Sequence, residues 1–118
     1  MKPIKTTYID SLWSKAVKVR ANYQCEYCGR TDTLNSHHIF SKSNRAVRWD
    51  LDNGICLCAL HHALGNFSAH KAPLEFAEWV TNKRGKTWYY ALRAKSNTIV
   101  KLSNANKVQI ASELRKEI

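Results

Sequence analysis

The 118-residue sequence predicts a small α+β fold, on three observations. All four cysteines and all five histidines fall between Cys25 and His70. Two short β-like segments, 34–39 and 55–57, flank a polar stretch that ends in the turn pair Asn53-Gly54. Helical spacing of apolar residues marks the segment before this region and most of the chain after it. The expected organisation is a single domain over 1–118. It has an N-terminal helix within 10–24, a ligand-rich core at 25–70 and a basic helical extension at 71–118.

Each element has its own signal. Residues 10–22 read as a helix capped by Asp10, with Leu12, Ala16, Val19 and Tyr23 as its apolar stripe. Residues 25–29 make a tight turn ending in Gly29. The polar residues of 40–52 form a loop, and 61–64 begins a helix that ends near Gly65. Pro73 opens a helix with Leu74, Ala77, Trp79 and Val80 inward, stopped near Gly85. A second helix at 86–95 packs through Trp88, Leu92 and its tyrosines. Ser103 caps a terminal helix carrying Val108, Ala111, Leu114 and Ile118.

The formal charge is +10, unevenly spread. Residues 1–24 carry +4, from five Lys/Arg and one Asp. Residues 25–70 are neutral, with four charges of each sign. Residues 71–118 carry +6, from ten Lys/Arg and four Glu. Basic flanks around a neutral centre suit a polyanion held by the flanks and presented to the centre, although lysine-rich faces also serve solubility alone. No apolar run is long enough to span a membrane, and Met1-Lys2-Pro3-Ile4-Lys5 lacks the apolar core of a signal peptide. The expected compartment is the reducing cytoplasm, where cysteines read as metal ligands before disulfides.

The spacing separates these ligands into groups. Cys25-x-x-Cys28 and Cys58-x-x-His61 are two bidentate pairs. Together they complete a tetrahedral Cys3His shell that leaves zinc no open position, which predicts a structural ion. A redox CxxC would need a βαβ setting and would leave the second pair without a role. Cys56 is the spare thiol, read as packed core. His37, His38, His62 and His70 remain. Adjacent residues on a strand point to opposite faces, so His37 and His38 suit two different jobs, metal ligand and proton acceptor.

These residues resemble the HNH endonucleases, also called ββα-metal or His-Me finger nucleases. The matching pieces are Cys25-x-x-Cys28-Gly29, His37-His38-Ile39, and Asn53-Gly54-Ile55-Cys56-Leu57-Cys58-x-x-His61-His62. The three name-giving letters fall on His38, Asn53 and His62, with intervals of 15 and 24 residues from His38, similar to colicin-type DNases. The zinc-knuckle subgroup usually has four cysteines; His61 stands in for the last. The stretch through Trp79 is similar to small phage-type HNH proteins.

The resemblance implies a ββα-metal core and a metal-dependent DNA endonuclease. His38 would be the general base, and Asn53 would tie down the loop and orient it. His37 and His62 would ligate one catalytic divalent ion, Mg²⁺, Mn²⁺ or Ni²⁺. Its third ligand would be His70, with Asn66 as the alternative. Lys42, Arg45 and Arg48, in the loop between His38 and Asn53, are placed to hold phosphates. Lys15, Lys18 and Arg20, with Lys83, Arg84 and Lys86, would extend that track. DNA is the expected partner, RNA also fits, and double-strand cuts would need a dimer or a phage or host protein. The competing reading is a non-catalytic zinc module that binds nucleic acid.

Overall fold

The computed structural model describes residues 2–118, so Met1 lies outside the described residues. Helix α1 covers Thr6–Arg20, starting four residues before the predicted Asp10 cap. The reason is burial: Ile9, Trp13, Ala16 and Val17 are at most 1% exposed and recur at helical spacing. This stripe shares only Ala16 with the predicted one, and Tyr23 lies outside the helix, about half exposed. Asp10 therefore sits inside α1, and Lys5 takes the cap position without a side-chain bond.

Strand β1, Leu34–His38, pairs antiparallel with β2, Gly54–Cys58. The register sets Ser36 against Cys56, His37 against Ile55 and His38 against Gly54. Residues 39–53 join the strands as a wide excursion that ends in a 3₁₀ turn, Leu51–Asn53, capped by the Asp50 carboxylate. Asn53-Gly54 is thus not a hairpin turn. Gly54 is extended and opens β2.

Every residue of β2 is buried, because helices cover both faces. Cys56 packs in one cluster with Ile9, Trp13, Trp49, Ala111 and Leu114. Ile55, Leu57 and Cys58 join a second cluster with Cys25, Phe76 and Val80. The glycine at 54 is steric: a Cβ there would lie 2.4 Å from Val17 Cγ2 and 2.8 Å from Trp13 Cζ2. Gly54→Ala is expected to cost about 1–3 kcal/mol through overpacking, read as a lower urea midpoint. An unchanged midpoint would contradict so close a seat of β2 on α1.

After β2 the chain makes one π-helical turn, Leu60–Leu64, and then α2, Pro73–Arg84. Pro73 stands at its first turn, and Gly85, at φ 94°, forms the corner into α3, Lys86–Ser96. Its inward residues are Phe76 and Val80, whereas Leu74 is 83% exposed. The terminal helix α4, Asn104–Lys116, is capped as predicted by Ser103, whose Oγ accepts from the Asn106 N–H. It returns to α1 through Ala111 and Leu114. Among the described residues no helix is long and apolar enough to cross a membrane.

Candidate metal centres

The first centre gathers Cys25, Cys28, Cys58 and His61, whose ligand atoms all lie within 4.8 Å of one another. Local backbone bonding shapes its first half. The Gly29 N–H donates to the Cys25 carbonyl at 2.8 Å, and Gly29 adopts a positive φ of 81°. Glu26, between the two cysteines, fastens this turn to β2. Its N–H donates to the Cys56 carbonyl and its carboxylate accepts from the Cys56 N–H, both at 2.8 Å. The other carboxylate oxygen pairs with Arg84 at 3.1 Å. The second half comes from the end of β2 and the π turn.

Cys28 Sγ and Cys58 Sγ are 3.7 Å apart. Sulfurs about 2.3 Å from one tetrahedral zinc would be separated by about 3.8 Å. Three thiols and an imidazole at this spacing fit a closed, structural zinc. Burial pushes the Cys25 thiol up, but backbone N–H groups, that of Cys58 first, outweigh it and hold the thiol below its ordinary value. Tyr27 covers one side, its ring 4.3 Å from His61 and 4.8 Å from Trp79. Cys56 stays out of this group: it is fully buried, and burial pushes its thiol up to about 11.

The second centre lies on the α2 side of the hairpin. Strand alternation turns His37 toward Phe76, and His38 toward Trp13 of α1. His62 comes from the π turn, a local distortion often found at functional sites. The chain then doubles back: the Ala69 N–H donates to the His61 carbonyl, and the His70 N–H to that of His62, at 2.9 and 3.1 Å. His37, His62 and His70 thereby form a compact trio. The Nε2 atoms of His62 and His70 are 3.0 Å apart. Two nitrogens each about 2.1 Å from one ion and at right angles have that separation. Asn66 is exposed and does not line this cleft, whereas His70 joins His37 and His62 there.

Burial and the crowding of imidazoles favour the neutral forms of His37 and His62. Burial lowers His37 to about 3, helped by the neighbouring His62 and His70. Burial also lowers His62, with His70 adding to the effect. The open cleft above the trio, about 590 Å³, is lined by these residues with His38, Ser36, Ser41 and Lys42, and by no carboxylate.

His38 is held from two sides. Its ring stacks on Trp13 at 3.8 Å between centroids, 10° from parallel. Its Nε2 lies 2.9 Å from the Arg48 carbonyl. A carbonyl only accepts, so Nε2 carries the hydrogen and Nδ1 the lone pair. Burial lowers the His38 pKa, partly offset by this bond and by Asp10. Asn53 is fully buried, where its Oδ1 accepts from the Phe40 N–H at 2.6 Å. Its Nδ2 donates to the carbonyls of Phe40 and Val47, at 3.0 and 3.1 Å. It thus ties together both ends of the loop between His38 and Arg48.

The basic residues divide differently from the expected track. Lys42 lines the histidine cleft, whereas Arg45 lines a separate hollow beside Trp49 and α4. The Arg48 guanidinium is engaged by Asp10 through Nε and Nη2, at 3.0 and 2.7 Å. Arg20 donates to the carbonyls of Leu51 and Gly54, and Arg84 to those of Asp52 and Gly54. These two arginines clamp the entry to β2, a role hidden in sequence because their acceptors are distant backbone atoms. Lys83 donates to the Glu26 carbonyl and lies over the Trp79 ring. No family model, curated protein or solved structure matches the chain.

Proposed function

We propose that this protein is an HNH-type, metal-dependent endonuclease that hydrolyses phosphodiester bonds, with DNA as its substrate. The carrying observation is that His38, with its Nδ1 lone pair unbonded to Arg48, lines the same cleft as the trio His37, His62 and His70. A closed Cys3His site lies beside it, separated in sequence by the single step from His61 to His62.

His37, His62 and His70 would hold one divalent ion. When bound there, that ion supplies Lewis-acid stabilisation of the scissile phosphate and the leaving 3′ oxygen. His38 accepts the proton of the attacking water at Nδ1, while the Arg48 carbonyl keeps its ring and tautomer fixed. A lowered pKa favours the neutral, proton-accepting form at neutral pH. Lys42 at the cleft offers a phosphate contact, and the basic flanks supply the longer-range attraction. A nucleic-acid-binding zinc module without catalysis would use the Cys3His site alone and leave the histidine cleft without a task.

The test is nicking of supercoiled plasmid by protein freed of loosely held metal and resupplied with Ni²⁺, Mn²⁺ or Mg²⁺. Imidazole-only donors prefer the transition metals to Mg²⁺. Nicking is therefore expected at lower concentrations of Ni²⁺, and then of Mn²⁺, than of Mg²⁺. Mg²⁺ acting at the lowest concentration would contradict the donor set. A protein that cuts nothing with any of these ions would overturn the nuclease reading.

A further inference from the structure

Asp10 lies within α1, where helix formation has no need of it, and its carboxylate turns to the loop before β2. It accepts from Arg48 Nε at 3.0 Å, from Arg48 Nη2 at 2.7 Å and from Trp49 Nε1 at 2.7 Å. The ion pair is mostly sheltered, with side chains 27% and 20% exposed. Charge-assisted bonds of this forked kind are strong and directional. Their placement has a geometric consequence. One carboxylate grips the side chains on both sides of the Arg48–Trp49 peptide, and the oxygen of that peptide is the one that meets His38 Nε2. Trp13, three residues further along α1, finishes the brace: its ring stacks on His38 and its Nε1 donates to the Asp50 carbonyl at 2.9 Å. Helix α1 thus holds the ring of His38 directly and its hydrogen-bond acceptor through Asp10.

We infer that Asp10 is a positioning residue for His38, holding the Arg48–Trp49 peptide whose oxygen fixes the plane and tautomer of the imidazole. The inference rests on the reading of His38 as general base for its effect on rate, but not for its effect on the ring. Without Asp10, the Arg48 and Trp49 side chains would lose their common anchor, the carbonyl would no longer be aimed, and Nδ1 would share the hydrogen. A base displaced by a fraction of its own bond length still binds substrate but removes the proton poorly.

The experiment uses the zinc-loaded full chain and two variants. Asp10→Asn keeps the shape but sets an NH2 group against an Arg48 or Trp49 donor. Trp49→Phe removes one of the three bonds and keeps an aromatic ring in the α1 cluster. Long-range ¹H–¹⁵N spectra, recorded where the imidazole is neutral, read the His38 tautomer without any need for cleavage. The wild type is expected to be wholly Nε2–H. Asp10→Asn should show mixed tautomers, and Trp49→Phe a smaller change in the same direction. Plasmid nicking by Asp10→Asn should lose about 10- to 100-fold in kcat, with KM and zinc content held.

If Asp10→Asn does not fold, the spectrum of Trp49→Phe decides. His38 remaining wholly Nε2–H in the folded variants overturns the inference, as does an unchanged kcat in a cutting protein. Mixed tautomers in variants of a protein that cuts nothing support the brace and remove only the nuclease reading. An unshifted tautomer beside a cutting wild type removes the brace and leaves the nuclease reading in place.

Discussion

Replacing Cys28 with alanine is expected to cost the protein both its zinc and its fold. Cys28 is exposed, so the substitution opens no buried cavity. Any large loss of stability must then come through the metal. Structural zinc contributes about 10–16 kcal/mol of binding in small zinc domains at neutral pH. A whole domain is stable by only about 5–15 kcal/mol. The rest of this fold offers little reserve: the described residues form one two-stranded sheet, and most buried apolar side chains fall in two small clusters. The Cys3His site is where the turn at 25–29, the end of β2 and the π turn meet. Zinc content by mass spectrometry and a circular-dichroism melt check this together. A zinc-free variant with a native melting curve would remove the structural role of the metal.

His38→Ala should act in the opposite way, with nicking falling about 10²- to 10⁴-fold, the range of a well-placed general base. Zinc should stay bound, because His38 is not among the residues of the Cys3His site. The fold should also survive. The variant gives up one hydrogen bond to the Arg48 carbonyl and one stacked face of Trp13, whose own N–H keeps its bond to Asp50. A hydrogen bond of that kind contributes about 1 kcal/mol. Steady-state nicking on protein of matched zinc content separates lost chemistry from lost structure. Equal rates for variant and wild type would remove His38 from the reaction.

Elements that announce themselves by local chemistry were legible in the sequence. Pro73, Gly85 and Ser103 mark helix ends because each satisfies a backbone requirement within a few residues. The two ligand pairs at 25–28 and 58–61 were legible because a two-residue gap is itself a statement about reach. Asp10 was misread for an equally physical reason: an acid ahead of an apolar run is also what an N-cap looks like. Only the partners Arg48 and Trp49, 38 and 39 residues away, reveal its job. Gly54 was likewise read as half of a turn, when it is small because Val17 and Trp13 press against it.

The site itself was half legible. Alternation along β1 separates His37 from His38 without any structure. The return of His70 to His62 depends on backbone bonds across eight residues, which no local pattern announces. Arg20, Arg48 and Arg84 read as free cations, but the fold gives all three internal acceptors. Among the described residues, Lys42 is the one lysine or arginine lining the histidine cleft.

In the proposed function two adjacent residues serve two different metal centres, His61 the closed one and His62 the open one. Metal bound per chain, counted by native mass spectrometry on Ni²⁺-supplied wild type, His61→Ala and His62→Ala, tests it most directly. His62→Ala is expected to keep its zinc and to lose the second ion, and nicking with it, whereas His61→Ala should lose zinc. Loss of zinc from His62→Ala, or a second ion retained there at wild-type occupancy, would contradict the division.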